Sequence, residues 1–288
     1  MKVYTSLFRL YKDQSIDTVF AHFYPLGNDY DEPFKQIARN TWESFDAWRF
    51  QQERFINKYP YSTVPKLKNY LNYTFIRLNE LEQSSTGKHF LYSPDKTRVC
   101  FNTGLQNQHQ SDLLATFQKS KPSSKPTADW VFRGCYAPND DGYRRFFPPE
   151  FPDIAWYSMD SRDYVFDVSY RLERDTFDHL FERAKERAGL PSASDEGIRN
   201  YLRGTIDGLV PKIRRNYKVA IPVYYVKEGR MQLLLPFPSA SNKNEYSSFL
   251  VDRDDATKTY RLKTIFDLDQ AYFSARLITR PDQEWLNP

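Results

Sequence analysis

Two short turn sequences, each flanked by strand-like runs, constrain the fold of this chain most strongly. The first reads Ser-Pro-Asp-Lys at 93–96 and separates the runs at 88–92 and 98–102. The second reads Lys-Glu-Gly-Arg at 227–230 and also lies between two apolar runs. Because turns this short join neighbouring antiparallel strands, both sequences predict β-hairpins.

The rest of the chain mixes helical and strand patterns without a regular alternation. Apolar residues recur at helical spacing over 32–57, 65–81, 175–188, 195–215 and 267–276, with a shorter helix predicted at 111–119. Strand-like runs occur at 130–136, 164–170, 219–226, 231–236, 249–252 and 260–263. This order predicts an α+β protein whose sheets are mixed, mostly antiparallel, built from hairpins and packed by amphipathic helices.

Two features indicate where the chain divides. Residues 1–58 are predicted to form an N-terminal helical extension, and residues 59–288 a main α+β domain. Within that domain, residues 121–129 are rich in Pro, Ser and Lys and show no apolar periodicity. This stretch is either a boundary between two subdomains or an exposed loop within one domain.

Cysteine usage and hydropathy exclude several classes of protein. Cys100 and Cys135 lie far apart in apolar surroundings, which favours buried thiols over zinc ligands. No apolar run approaches the roughly 18 residues that span a bilayer. We therefore expect a cytoplasmic protein with no membrane partner.

Common catalytic motifs are absent from the sequence. It contains no P-loop, no Rossmann glycine pattern and no Gly-x-Ser-x-Gly nucleophile elbow. The sequence therefore assigns neither a catalytic residue nor a cofactor.

The most concentrated basic cluster is at 212–218, where four of seven positions are Lys or Arg. It falls at the C-terminal end of the predicted helix 195–215, where cations complement the helix dipole. The alternative is a phosphate site, for which the candidate residues are Arg203, Arg214, Arg215, Asn216, Tyr217 and Lys218.

Basic side chains on the second predicted helix form another candidate. Lys66, Lys68 and Arg77 suit either a solvated helix face or contacts to phosphates. The loop at 140–149 places Arg144 among aromatic residues and is a further candidate ligand contact.

Three aspartates are the best candidates for metal-assisted chemistry. Asp160, Asp163 and Asp167 are either surface carboxylates or, if they converge, a site for phosphodiester chemistry. Their spacing matches no specific metal motif, and no metal is assigned.

Several segments together resemble a bacterial family called domain of unknown function 3825. They are Leu-Lys-Asn-Tyr-Leu at 67–71, Phe-Asn-Thr-Gly-Leu at 101–105, Arg-Asn-Tyr-Lys-Val-Ala-Ile-Pro at 215–222, Gln-Leu-Leu-Leu-Pro at 232–236 and the run at 271–278. The resemblance covers roughly residues 60–286, and the segments at 101–105 and 215–222 are its most specific parts.

The resemblance implies a link to RNA. Members of the family are often joined to LOTUS modules, which are predicted RNA binders, although this chain shows no evident LOTUS module. Asn102 and Arg276 are polar residues within the apolar motifs. Such groups either pair with one another and with backbone or line a pocket for an anionic ligand.

These observations give three functional hypotheses. The leading one is an RNA- or nucleotide-binding protein of bacterial RNA metabolism or phage defence, with Arg and Lys side chains on the phosphates. The first alternative is an enzyme that acts on a nucleotide or an RNA end, either with or without a metal ion. The second is a protein-interaction module, which predicts a large exposed aromatic patch.

Overall fold

Two five-stranded sheets, each in its own unit of the chain, form the framework of the protein. The structure is a computed structural model, and it describes residues 4–10, 14–25, 27–51, 56, 62–84, 87–121, 127–173, 180–187, 193–240 and 246–278. The first unit is Met1–Trp156 and the second is Tyr157–Pro288. Both sheets are mostly antiparallel, so the predicted α+β class is confirmed.

The first sheet is antiparallel except at one edge. Its strands are β1 (Ala21–His22), β2 (Leu91–Tyr92), β3 (Arg98–Gln106), β4 (Asp112–Lys119) and β5 (Trp130–Tyr136), in the order β1-β5-β4-β3-β2. The edge strand β1 pairs with β5 in parallel. The hairpin predicted around 93–96 is confirmed, because β2 and β3 pair in antiparallel fashion across that turn.

An aromatic core lies between this sheet and a long helix. The helices of the first unit, within the described residues, are α1 (Glu32–Asn40), α2 (Pro65–Ser84) and α3 (Asp141–Arg144). Phe75 on α2 lies 5.9 Å from the ring of Phe101, which stacks on Phe117 at 5.4 Å. All three rings are fully buried, so stacking and burial together hold α2 against the sheet.

The second sheet has helices on both of its faces. Its strands are β6 (Arg171–Leu172), β7 (Ile221–Tyr225), β8 (Arg230–Pro238), β9 (Tyr246–Asp254) and β10 (Thr259–Asp267), in the order β6-β10-β9-β8-β7. The helices are α4 (Phe181–Arg187), α5 (Asp195–Arg215) and α6 (Leu268–Arg276). One apolar cluster joins α4 and α5 to one face of the sheet, and another joins α6 to the opposite face.

Three sequence predictions of secondary structure are wrong. The helix predicted over 32–57 ends at Asn40, and a 3-10 turn at Phe45–Trp48 follows. Ile56 is helical, and residues 52–55 and 57 lie outside the described residues. The segment predicted as a short helix at 111–119 is strand β4. The strand predicted at 164–170 is instead a 3-10 turn at Ser161–Tyr164 followed by irregular chain.

Other segments agree with the sequence patterns. The hairpin of β7 and β8 and the pairing of β9 with β10 are confirmed. The helix predicted over 175–188 is seen at Phe181–Arg187, and residues 175–179 and 188 lie outside the described residues. No helix in the described part of the chain is long and apolar enough to cross a membrane.

The structure shows where the residues near the predicted domain boundaries lie, but the boundaries themselves stay predictions. Phe34 and Trp48, from the predicted N-terminal extension, are buried in the first unit. The Pro- and Ser-rich stretch at 121–129 connects β4 to β5 within one sheet, and residues 122–126 lie outside the described residues.

Candidate nucleic-acid interface

Helix α5 carries the basic cluster predicted from the sequence. It begins after Ser194, whose hydroxyl accepts a hydrogen bond from the backbone N–H of Gly197 at 3.2 Å. Five apolar side chains along one stripe hold the helix on the sheet: Ile198, Leu202, Ile206, Leu209 and Ile213. The opposite face of the helix therefore points to solvent.

The helix ends where its last residues turn into strand β7. Asn216 is the C-terminal cap, with an extended backbone (φ −149°), and its side-chain oxygen accepts from the N–H of Lys218 at 3.1 Å. A 3-10 turn at Tyr217–Val219 then leads to β7. The motif at 215–222 is therefore a helix-to-strand junction, and the side chain of Asn216 has a structural role in it.

Basic side chains surround this junction, and we call Lys212, Arg214, Arg215 and Lys218 the helix-end cluster. All four are exposed, and Tyr217 beside them is 63% exposed. Within the described residues, no carboxylate pairs with Lys212, Arg214 or Arg215 at salt-bridge distance. The position of these three cations complements the helix dipole, and their charges stay open to an anionic ligand.

A groove of about 690 Å³ runs along one side of α5. One wall is the chain at 168–173, and the other is formed by Ile206, Asp207, Val210 and Arg214 of the helix. The charges of the groove are mixed, because Arg171 and Arg214 face it together with Glu173 and Asp207. Arg203 lies one helical turn before Asp207 and is exposed on the same flank.

The three candidate residues on helix α2 are buried in the first unit or paired with other residues of it. Lys66 is fully buried, so its side chain has no exposed surface for a ligand. Lys68 forms an ion pair with the buried Asp31. Arg77 donates through Nε to the backbone oxygen of Trp156 at 2.8 Å, pairs with Glu80 at 3.0 Å and lies over the Trp156 ring.

Asn102 stabilises an irregularity between strands β3 and β4. Its amide nitrogen donates to Asp112 at 2.9 Å, and its oxygen accepts from the N–H of Gly104 at 3.0 Å. Gly104 has φ +70°, and a Cβ there would lie 2.8 Å from the hydroxyl of Tyr70. That hydroxyl donates to the backbone oxygen of Thr103. The polar groups of the Phe-Asn-Thr-Gly-Leu motif are thus paired within the first unit, and the motif requires glycine at its fourth position.

The last two candidate arginines lie apart from the helix-end cluster in the sequence and differ in exposure. Arg144 is exposed on the short helix α3 and donates to the side chain of Asn139 at 2.7 Å. Arg276 is the last residue of α6 and is 8% exposed. The candidates that lie together are therefore the consecutive residues Arg214, Arg215, Asn216, Tyr217 and Lys218. Arg203 is on the same helix, about three turns before Arg214.

The three aspartates are bound by other side chains of the protein. Asp160 forms a two-pronged ion pair with Arg162, which lowers the pKa of that carboxyl to about 2. Asp163 lies 3.1 Å from Arg253, and Asp167 accepts hydrogen bonds from Ser169. Within the described residues no group of three or more His, Cys, Asp or Glu side chains could hold a metal ion.

The cysteine side chains are poor nucleophiles. Cys100 is fully buried and Cys135 is half-buried, and neither forms a disulfide. Burial raises the pKa of both thiols to about 12. Both side chains therefore stay protonated at neutral pH, and a protonated thiol is unreactive because only the thiolate attacks.

A second basic region, in the first unit, was not predicted from the sequence. Arg98, Arg133 and Arg145 come from three separate segments that the sheet and helix α3 bring close together. Strand alternation alone does not reveal them, because β5 has a bulge at Arg133, which the register with β4 skips. The sequence signal that could have located Arg98 is the register of the β3–β4 hairpin, in which Arg98 lies opposite Gln118.

Fold and site define this chain as an α+β protein with a basic helix end as its candidate interface. The chain belongs to the family described as "Domain of unknown function (DUF3825)", whose model matches residues 37–285. A search of the curated proteins and a search of the solved structures each found no match to it.

Proposed function

We propose that the protein binds RNA through the helix-end cluster. The supporting observation is that Lys212, Arg214 and Arg215 are exposed and lack an ion pair within the described residues. Arginine forks suit phosphate oxygens, and the exposed ring of Tyr217 offers a surface on which a base can stack. In this proposal the protein serves bacterial RNA metabolism or phage defence.

The charge pattern favours a polyanion over a small neutral ligand. The cations of the cluster are close together in the chain, so their mutual repulsion is relieved when an anion binds. The adjacent groove has equal numbers of acidic and basic side chains in its lining, which disfavours it as the main phosphate site. The cluster, and not the groove, is therefore the proposed contact to the RNA backbone.

Binding across a salt series tests the proposal. In fluorescence anisotropy with a labelled RNA, the logarithm of the association constant should fall linearly with the logarithm of the salt concentration. Arg214→Ala/Arg215→Ala should lower the slope by roughly 0.7 for each phosphate that the variant no longer binds. Lys227→Ala/Lys258→Ala is the matched control, because it removes two exposed cations of the same unit that lie outside the cluster.

The outcomes separate the hypotheses. The proposed site would be overturned if Arg214→Ala/Arg215→Ala kept the salt slope of the unaltered protein and bound RNA with the same affinity as the control variant. Absence of salt-dependent binding would overturn RNA binding altogether. That result would favour the protein-interaction hypothesis, which the exposed side chains of Phe151, Ile154 and Trp156 support.

A further inference from the structure

A basic groove lies in the first unit, where β4 ends and β5 begins. It has a volume of about 310 Å³, and its lining includes Tyr24, Gln118, Lys119, Lys121 and Arg133. Tyr24 follows the edge strand β1 and is 58% exposed. We call this the sheet groove.

The charge of the sheet groove is entirely positive among the described residues. Lys119, Lys121 and Arg133 are exposed, and no carboxylate is part of the lining. None of the three cations forms a salt bridge within the described part of the chain. Three cations around one narrow groove, without an acidic partner there, are an arrangement that an anionic ligand stabilises.

The basic surface continues from the groove towards helix α3. Gln118 pairs with Arg98 across β3 and β4. The guanidinium carbon of Arg98 lies 3.5 Å from the ring centroid of Phe146, and that of Arg145 lies 5.6 Å from it. Burial, together with the positive charges of Arg133 and Arg145, lowers the pKa of Arg98.

The acid nearest to this surface is already engaged. Asp95 favours the charged form of Arg98, but its carboxylate accepts hydrogen bonds from the hydroxyls of Ser93 at 2.6 Å and Thr97 at 2.7 Å. These hydrogen bonds lower the pKa of Asp95 to about 2, so Asp95 stays anionic and offsets part of the charge of Arg98. One carboxylate against the three cations Arg98, Arg133 and Arg145 leaves a net positive charge on this surface.

We propose that the sheet groove and the adjoining Arg98 and Arg145 bind one strand of RNA. The cations form a path for successive backbone phosphates, and the exposed ring of Tyr24 offers a stacking surface for a base. Phe146 is half-buried, and its ring holds the guanidinium of Arg98 along this path. A duplex has its bases paired and stacked internally, so the exposed ring of Tyr24 favours a single strand. The proposal rests on the proposed function for the class of ligand only, because no residue is shared with the helix-end cluster.

The test uses the full chain and two variants of the sheet groove. Lys121→Ala/Arg133→Ala should lower the salt slope for a single-stranded RNA by about 1.4, which is 0.7 for each phosphate contact. Tyr24→Ala should weaken binding by roughly tenfold at one salt concentration and leave the slope unchanged, because it removes stacking and no charge. Arg49→Ala/Lys88→Ala is the control, since it removes two exposed cations of the same unit outside the groove. Among the described residues Arg49 pairs only with the exposed Asp46, and water screens such a pair.

Photocrosslinking gives a readout that does not depend on the variants. RNA containing 4-thiouridine, crosslinked and analysed by mass spectrometry, should label peptides that contain Tyr24 or Phe146. Thermal melting of each variant ensures that weaker binding does not reflect unfolding.

The outcomes distinguish this site from the helix-end cluster. Weaker binding in the groove variants with normal binding in Arg214→Ala/Arg215→Ala would support the groove and overturn the proposed function's site. Weaker binding only in the cluster variant, or equal affinity for duplex and single-stranded RNA, would overturn the groove proposal. No RNA binding by the unaltered protein would overturn both.

Discussion

Asp31 is a buried carboxylate that ties two helices of the first unit together. It lies just before α1, is 5% exposed, and accepts a hydrogen bond from the backbone N–H of Thr63 at 2.5 Å. It also forms the ion pair with Lys68 on α2. Lys35 makes a comparable pair with Asp29 at 2.5 Å, but the side chain of Asp29 is 41% exposed. The two lysines therefore form a matched pair that differs mainly in the burial of the partner.

We expect Lys68→Ala to destabilise the protein much more than Lys35→Ala. Removing Lys68 leaves the charge of Asp31 buried and unpaired, which costs roughly 2–3 kcal/mol. Removing Lys35 breaks an ion pair with a solvated carboxylate, which changes stability little because water screens such pairs. Urea unfolding of both variants measures the difference, and RNA affinity should be unchanged in both. Equal decreases in the free energy of unfolding would show that Asp31 does not depend on Lys68.

At the scale of elements, helix α5 has two glycines that its structure does not require. Gly204 and Gly208 lie in the helix interior, and a Cβ on either would meet no atom within 4 Å. Glycine in such a position destabilises a helix, because the unfolded chain has more backbone freedom to lose.

We expect Gly204→Ala and Gly208→Ala each to raise the free energy of unfolding by about 0.5–1 kcal/mol. Gly197→Ala is the control, because a Cβ there would lie 3.3 Å from the hydroxyl of Ser194, which caps the helix. The free energy of unfolding should rise less in Gly197→Ala than in the other two variants. Thermal and urea unfolding provide the measurement, and a decrease in stability at Gly204 would mean that this face of α5 is packed.

The same elements show which parts of the fold could be predicted from the sequence. Helices α2 and α5 were predicted because their apolar stripes run unbroken for about 20 residues. Strand β4 was mistaken for a helix because Leu113 to Phe117 are all buried, so the strand lacks the alternation that identifies a strand with one solvated face. The helix predicted over 32–57 ends early because tertiary contacts bury Trp48 in a 3-10 turn.

The candidate site was predictable only where it is local in the sequence. The helix-end cluster is contiguous, so composition and helix periodicity located it. Lys66 and Lys68 belong to a similar run of basic residues on α2. Lys66 is buried and Lys68 pairs with Asp31, and helical periodicity does not predict either of these tertiary contacts. The sheet groove combines residues from β4, β5 and the chain after β1, and strand pairing alone brings them together.

At the scale of the whole molecule, each unit has the contents of an independent folding domain. The second unit contains a complete five-stranded sheet with apolar clusters on both faces. The first unit contains its own sheet and a continuous aromatic core around Phe75, Phe101 and Phe117. Units of this size, about 150 and 130 residues, bury enough apolar surface to fold alone.

We therefore expect the chains 1–156 and 157–288 to fold when they are expressed separately. Each should show a single cooperative unfolding transition and dispersed amide resonances, because its sheet and core are internally complete. Circular dichroism, urea unfolding and two-dimensional NMR of the two fragments make the test. A fragment with native-like secondary structure but no cooperative transition would show that its core depends on the rest of the chain. If both fold, the helix-end cluster and the sheet groove can be titrated with RNA one at a time, and the affinity of each surface follows without mutation.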